Sequence, residues 1–267
     1  RFLCIAGSNI DEQIKQWGAI VKDCKGRQTD RCAVALKKMG QLHYQKETQD
    51  FIVCQDAYDK AYQRWEDRDR KGKAPTECKR SYDQSLSHFE RFLAQYPKDE
   101  SYANVLMQTS FIYMTQMRDD DAFKLWSKLV KDYPHSTLLP QAWLRIGEYH
   151  YNNRKYRDAI QAYQKVVGFD NLKGKEAALA IYHKAECYNN IGEYYTAAET
   201  FYEYVVGADA GKYPADLRVE ALTYMAGSFA DLDDGIDQAE KFLKKKKVPW
   251  RDTLYFEIGM KNKSRDR

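Results

Sequence analysis

Apolar and aromatic side chains recur along this chain at three- and four-residue steps, the spacing of one helix face against a core. No stretch carries the signal of a strand. Cut at glycine, proline and acidic turns, the periodic segments predict thirteen helices. They lie near residues 9–23, 30–46, 48–67, 76–95, 99–116, 119–132, 137–152, 155–168, 174–190, 193–206, 214–230, 235–246 and 250–261. Tyr96-Pro97 and Tyr133-Pro134 end two of them, because proline has no N–H to donate and blocks the turn before it. Asp119 to Asp121 open another, where carboxylates cap the first turn and suit the helix dipole.

A longer period overlies the helical one. Small residues at Ala122, Ala159 and Ala197 stand 37 and 38 residues apart, and Ser85 extends the series backwards by 37. An aromatic follows each four residues on: Phe89, Trp126, Tyr163 and Phe201. Twelve residues before three of these landmarks lies a second small residue, Ser110, Gly147 or Ala185, followed three later by Tyr113, His150 or Tyr188. Small residues let paired helices approach, and the rings fill the groove between one pair and the next. In the last unit Ala226, Phe229 and Ala239 match if one residue is inserted near Asp231 to Gly235. The extra length of each unit falls in loops such as Gly168 to Gly174 and Gly207 to Pro214, and a charged insert between Trp65 and Thr76 predicts a protruding loop.

From Trp143, the stretch W-L-R-I-G-E-Y-H-Y-N-N-R-K-Y-R-D-A-I-Q-A-Y-Q-K-V-V places Gly147 four later, Tyr156 thirteen, Ala159 sixteen and Tyr163 twenty. That pattern resembles the tetratricopeptide repeat. The resemblance is close over residues 76–245 and looser before them. It implies an all-α, right-handed superhelical solenoid of helix-turn-helix repeats, about six helix pairs in all. Residues 1–75 read as divergent, cysteine-rich helical repeats, 76–245 as the array, and 246–267 as the truncated start of a further repeat. The strings K-D-Y-P-H-S, W-L-R-I-G-E-Y and L-R-V-E-A-L-T-Y are similar to bacterial envelope members of the superfamily. Those include proteins of outer-membrane assembly, Tol-Pal and gliding-motility systems. The resemblance thus implies a periplasmic or outer-membrane-associated protein. The start at Arg1 without Met and the end inside what resembles the opening of a further repeat predict a piece of a longer chain, so that any export signal would lie outside this sequence.

In that superfamily the first helix of each repeat lines a concave groove. Carried onto this chain, the groove presents Asn104, Met107, Phe111 and Met114, then Gln141, Leu144, Glu148 and Tyr151, then Leu179, Tyr182, Glu186 and Asn189, with Arg145 and His183 beside them. The lining is apolar, aromatic and acidic, suited to an extended segment or helix of a protein partner. It lacks the lysine and asparagine with which chaperone-binding members clamp a terminal carboxylate. Leu144 and Glu148, or Tyr182 and Glu186, stand there instead, and the glutamates would repel such a ligand. Twenty-one tyrosines leave rings to spare for this surface after the repeat positions are filled.

Composition narrows the alternatives. Charged residues make up 31% of the chain but nearly cancel, leaving a formal charge of +4, which argues against a nucleic-acid or membrane-surface protein. Lys244 to Lys247 end a helix, where lysines suit the dipole. No window has the roughly 20 apolar residues of a membrane span. No phosphate loop, nucleophile elbow or metalloprotease motif is present, so no catalytic residue, cofactor or metal is expected. The histidines His43, His88, His135, His150 and His183 are scattered, with His150 at a packing position. Asp231 to Gly235 is a poor calcium loop, since Phe242 stands where the twelfth-position glutamate belongs. Asn262-Lys263-Ser264 fits a glycosylation triplet that arises readily by chance.

Five of six cysteines, Cys4, Cys24, Cys32, Cys54 and Cys78, fall in the first 78 residues without metal-ligand spacing. On the helix map Cys24, Cys32 and Cys78 share one edge of the stack, which makes Cys24–Cys32 geometrically easy and brings Cys32–Cys78 within reach. Oxidised pairs would imply export, whereas buried free thiols, as at Cys187, are the alternative. The leading expectation is a non-catalytic scaffold that docks protein segments in its groove. The rivals are an architectural spacer in a larger protein and an auxiliary module of an enzyme whose catalytic domain lies elsewhere.

Overall fold

The computed structural model describes residues 9–169 and 173–264. Cys4 and the middle of the Gly168–Gly174 loop lie outside the described residues. Among those described there are twelve helices and no strand. They are α1 (Ile10–Cys24), α2 (Asp30–Glu66), α3 (Asp83–Gln95), α4 (Tyr102–Thr115), α5 (Asp119–Asp132), α6 (Leu139–Asn152), α7 (Tyr156–Val167), α8 (Lys175–Asn190), α9 (Tyr194–Asp209), α10 (Arg218–Ala230), α11 (Gly235–Leu243) and α12 (Arg251–Ser264). The chain divides into two compact units, Arg1–Leu125 and Trp126–Arg267.

In the first unit α1 packs on α2, α2 on α3 and α3 on α4. The Asn9 side chain caps α1, and Lys25 and Gly26 end it in the left-handed region, with φ of 45° and 82°. Thr29 caps α2 by accepting from the Cys32 amide. Two helices expected at 30–46 and 48–67 are one, the 37-residue α2. Lys46, Glu47 and Thr48 contain no glycine or proline, so nothing in the backbone stops the helix there. The helix expected from residue 76 starts later, at Asp83, because residues 67–82 return along α2 without regular structure.

The inner half of α2 carries a repeat position that the spacing did not reveal. A Cβ on Gly40 would stand 2.4 Å from the Phe89 ring, and the Ser85 hydroxyl donates to the Gly40 carbonyl at 2.8 Å. Gly147 has the same relation to Tyr163, at 2.3 Å. The separations are 49 residues (89 − 40) and 16 residues (163 − 147), so the first hairpin holds 33 extra residues between its two packing helices. Beyond Leu42 no residue of α2 is buried. The expected loop at Trp65–Thr76 is the turn of this longer arm.

The cysteines follow the arm. Cys24 bonds Cys32 as expected, with 6.0 Å between Cα atoms. Cys78 does not join them; it bonds Cys54, also at 6.0 Å. The uninterrupted α2 carries Cys54 out along the arm, and the returning segment lays Cys78 beside it. Cys187 is a buried free thiol, which burial pushes up to about 12.

In the second unit α6–α7, α8–α9 and α10–α11 form successive hairpins, each packed on the next, and α12 packs on α10 and α11. Ser85, Ala122, Ala159 and Ala197 are all fully buried, and so, within 2%, are the rings that follow them. The prolines act as the sequence predicts: α3 ends two residues before Pro97 and α5 two before Pro134. Helix α9 runs on past Gly207, where a loop was expected, because the Tyr213 ring folds back onto that glycine; a Cβ there would meet it at 2.2 Å. Gly235 lets the α10–α11 turn close, since a Cβ would lie 2.1 Å from the Phe229 carbonyl oxygen.

Candidate functional site

The second unit sets its first helices side by side: α6 contacts α8, and α10 contacts α12. Fixing the small residues Gly147, Ala185 and Ala226 in the core decides which side chains α6, α8 and α10 hold outward. On α6 these include Gln141, Arg145, Glu148 and Tyr151, all partly exposed; on α8 they are Leu179, His183, Glu186 and Asn189, likewise partly exposed. In the first unit α4 holds Asn104 exposed and Phe111 and Met114 partly so.

Three residues expected on this surface belong to the core. Met107, Leu144 and Tyr182 are 4%, 3% and 3% exposed. Each stands three before its helix's small residue, on the flank of the face that packs inward, so neighbouring helices cover it. Tyr182 lies edge-on to Phe201, Tyr204 and Tyr224, and burial with the nearby Glu186 and Glu220 carboxylates raises its phenol well above the usual range.

The polar lining is internally paired. Arg145 Nη1 donates to Glu148 Oε2 at 2.6 Å, and His183 Nδ1 lies 2.7 Å from Glu186 Oε2. Both pairs are one helical turn apart and about a quarter exposed, so each glutamate expected to repel acidic ligands has a partner in its own helix. The His183 ring stacks on Tyr163 at 5.9 Å and lies 5.9 Å from Tyr151. Asn189 Oδ1 accepts from the Ser228 hydroxyl at 2.8 Å, tying α8 to α10. Tyr163 is wholly buried, and its hydroxyl has no hydrogen-bond partner among the described residues.

One stretch of this face was missed. Counting back from Ala226, as from Gly147 and Ala185, places Glu220 and Thr223 on it, and Tyr224 stands alongside. Glu220 is exposed, and Tyr224 is 41% exposed while stacked on Phe201 at 5.8 Å. The signal was present in Ala226 itself. Among the described residues no group of three His, Cys, Asp or Glu side chains is placed to hold a metal ion, and no helix is long and apolar enough to cross a membrane.

None of the curated proteins compared matches the chain. The crystal structure of the MamA protein aligns with 73% of this chain and 97% of its own, at 16% sequence identity and a TM-score of 0.45. Residues 141–168, the α6–α7 hairpin in which Gly147 meets Tyr163, match the family model of the tetratricopeptide repeat. The close approach of glycine to ring in that hairpin recurs at Gly40 and Phe89, so the matched stretch, similar to the tetratricopeptide repeat, shares its packing with another part of an all-α set of described residues.

Proposed function

We propose that this chain is a non-catalytic scaffold of a cell-envelope complex, docking protein segments on the aligned first helices of its repeats. The observation that carries the reading is the division of labour on α6, α8 and α10. One set of positions is closed into glycine- or alanine-against-ring packing, and the adjacent set, Glu148 and Tyr151, His183 and Glu186, Thr223 and Tyr224, is left accessible. A row of rigid rings and polar groups at helical spacing offers a partner large contact area at low entropic cost. Two disulfides support an oxidising compartment outside the cytoplasm, as the envelope assignment requires.

The test is direct. Partners captured by the whole chain from an envelope extract are identified by mass spectrometry, and their affinities are measured by titration. A Tyr151→Ser, Glu148→Lys, Glu186→Lys variant should bind a verified partner at least about tenfold more weakly, the loss of roughly 1.4 kcal/mol that one removed anchor represents. Undiminished affinity would remove the docking face and leave the spacer reading in its place.

A further inference from the structure

The arm inserted in the first hairpin lacks a core of its own. From His43 to Glu66 no side chain of α2 is buried, and the return segment 67–82 has no helix or strand. The turn at the tip needs left-handed backbone at Asp69, Arg70 and Gly72, with φ of 53°, 59° and 92°. Apart from the Cys54–Cys78 bond, surface contacts join α2 to the returning chain, among them the Arg70 guanidinium, which donates to Glu66 Oε1 at 2.9 Å and lies over the Trp65 ring. The Trp65 indole donates to the Gly72 carbonyl at 3.2 Å, and the Arg80 guanidinium sits 4.3 Å from the Phe51 ring centre. The segment is anchored again at Tyr82, which is buried, stacked on Tyr44 and bonded to the Thr48 hydroxyl at 3.3 Å.

The two disulfides are also placed differently. Cys24 and Cys32 are each 5% exposed, inside the α1–α2 packing. Cys54 is exposed on the arm and Cys78 half-buried beside it. Thiol–disulfide exchange needs a thiolate to reach one sulfur, so access separates the pair that can react in the folded protein from the pair that cannot.

We propose that Cys54–Cys78 is a redox-controlled tether, opened by small dithiols while Cys24–Cys32 stays closed, and that opening it frees residues 67–80 from α2 without unfolding the repeats. In the exchange, a dithiol's thiolate attacks Cys54 Sγ, forms a mixed disulfide and expels the Cys78 thiolate, which takes up a proton. The reagent's second thiolate then attacks the mixed disulfide, releasing Cys54 as a thiol and leaving the reagent as its own cyclic disulfide. The bond closes a loop with a sequence separation of 24, and the freed segment would be fixed only at α2 and at Tyr82.

The whole chain is titrated with dithiothreitol, quenched with iodoacetamide and mapped by peptide mass, with limited trypsin digestion in parallel. Cys54 and Cys78 should be labelled before Cys24 and Cys32. At that stage cleavage after Lys73, Lys79 and Arg80 should accelerate roughly tenfold or more while the helical circular-dichroism signal keeps most of its amplitude. A Cys54→Ser, Cys78→Ser variant should be cleaved rapidly from the outset and be indifferent to reductant. Opening of Cys24–Cys32 first, an unchanged cleavage rate on reduction, or loss of the helical signal in the double variant would each overturn the tether.

Discussion

Gly147 carries no side chain because the Tyr163 ring already occupies the place of its Cβ. Replacing it with alanine should cost about 1–3 kcal/mol, since a rigid ring packed against a backbone has little room to retreat. Urea unfolding of Gly147→Ala beside the parent chain measures the loss. The Tyr163 hydroxyl makes the opposite case. It is buried without a hydrogen-bond partner, so Tyr163→Phe should be neutral or stabilise by up to about 1 kcal/mol, removing a desolvated group and keeping the ring. A marked destabilisation in the same assay would mean that the hydroxyl has a partner. These roles were legible in the chain, where Gly147 and Tyr163 announce themselves by spacing. Gly40 did not, because its ring lies 49 residues away rather than 16. Among the positions counted for the proposed docking face, Glu148, His183 and Glu186 are partly exposed. The counting misjudged Met107, Leu144 and Tyr182, whose burial depends on neighbouring helices that no spacing describes.

Helix α3 begins under a cap supplied by another helix. The Glu47 carboxylate accepts from the Gln84 and Ser85 amides at 2.9 and 3.3 Å, across 37 and 38 residues. Glu47→Ala should lower stability by about 1 kcal/mol, the usual worth of an N-cap, visible as a shifted thermal midpoint. Between the same two helices the His43 and His88 rings stack at 5.2 Å. Burial chiefly, and then the neighbouring His43 and Arg91, bring His88 down from 6.5 to about 4; burial and Lys46 lower His43. A base with a depressed folded pKa takes its proton first in the unfolded state. The pair therefore leaves stability level above pH 6.5 and withdraws it as pH falls from 6.5 towards 4. Discounted for partial exposure, the loss is about 1 kcal/mol. Urea midpoints at pH 7 and pH 4.5 should differ for the parent chain and differ less for His88→Phe. The helices themselves were mostly readable, since capping residues, prolines and a face period are local. The fusion of two expected helices into α2 was not, because a polar break in the pattern looks the same whether the helix stops or merely leaves the core.

Each unit of the molecule is a row of hairpins whose contacts run to the next in line, so a local defect should stay local. Hydrogen exchange on Gly147→Ala should show reduced amide protection in α6 to α9 and leave α1 to α3 unchanged. A loss spread over all helices would make the rows a single cooperative body. What the sequence determined by itself is the repeat: helices of this length, small residues at these intervals and rings to meet them are specified within about forty residues of chain. Tertiary structure alone decided the rest: that α2 runs on as an arm, that Cys78 finds Cys54 rather than Cys32, and that Arg145 and His183 turn towards Glu148 and Glu186. Those outcomes depend on which side chains come together across space once the backbone has committed, and a one-dimensional period does not hold that information.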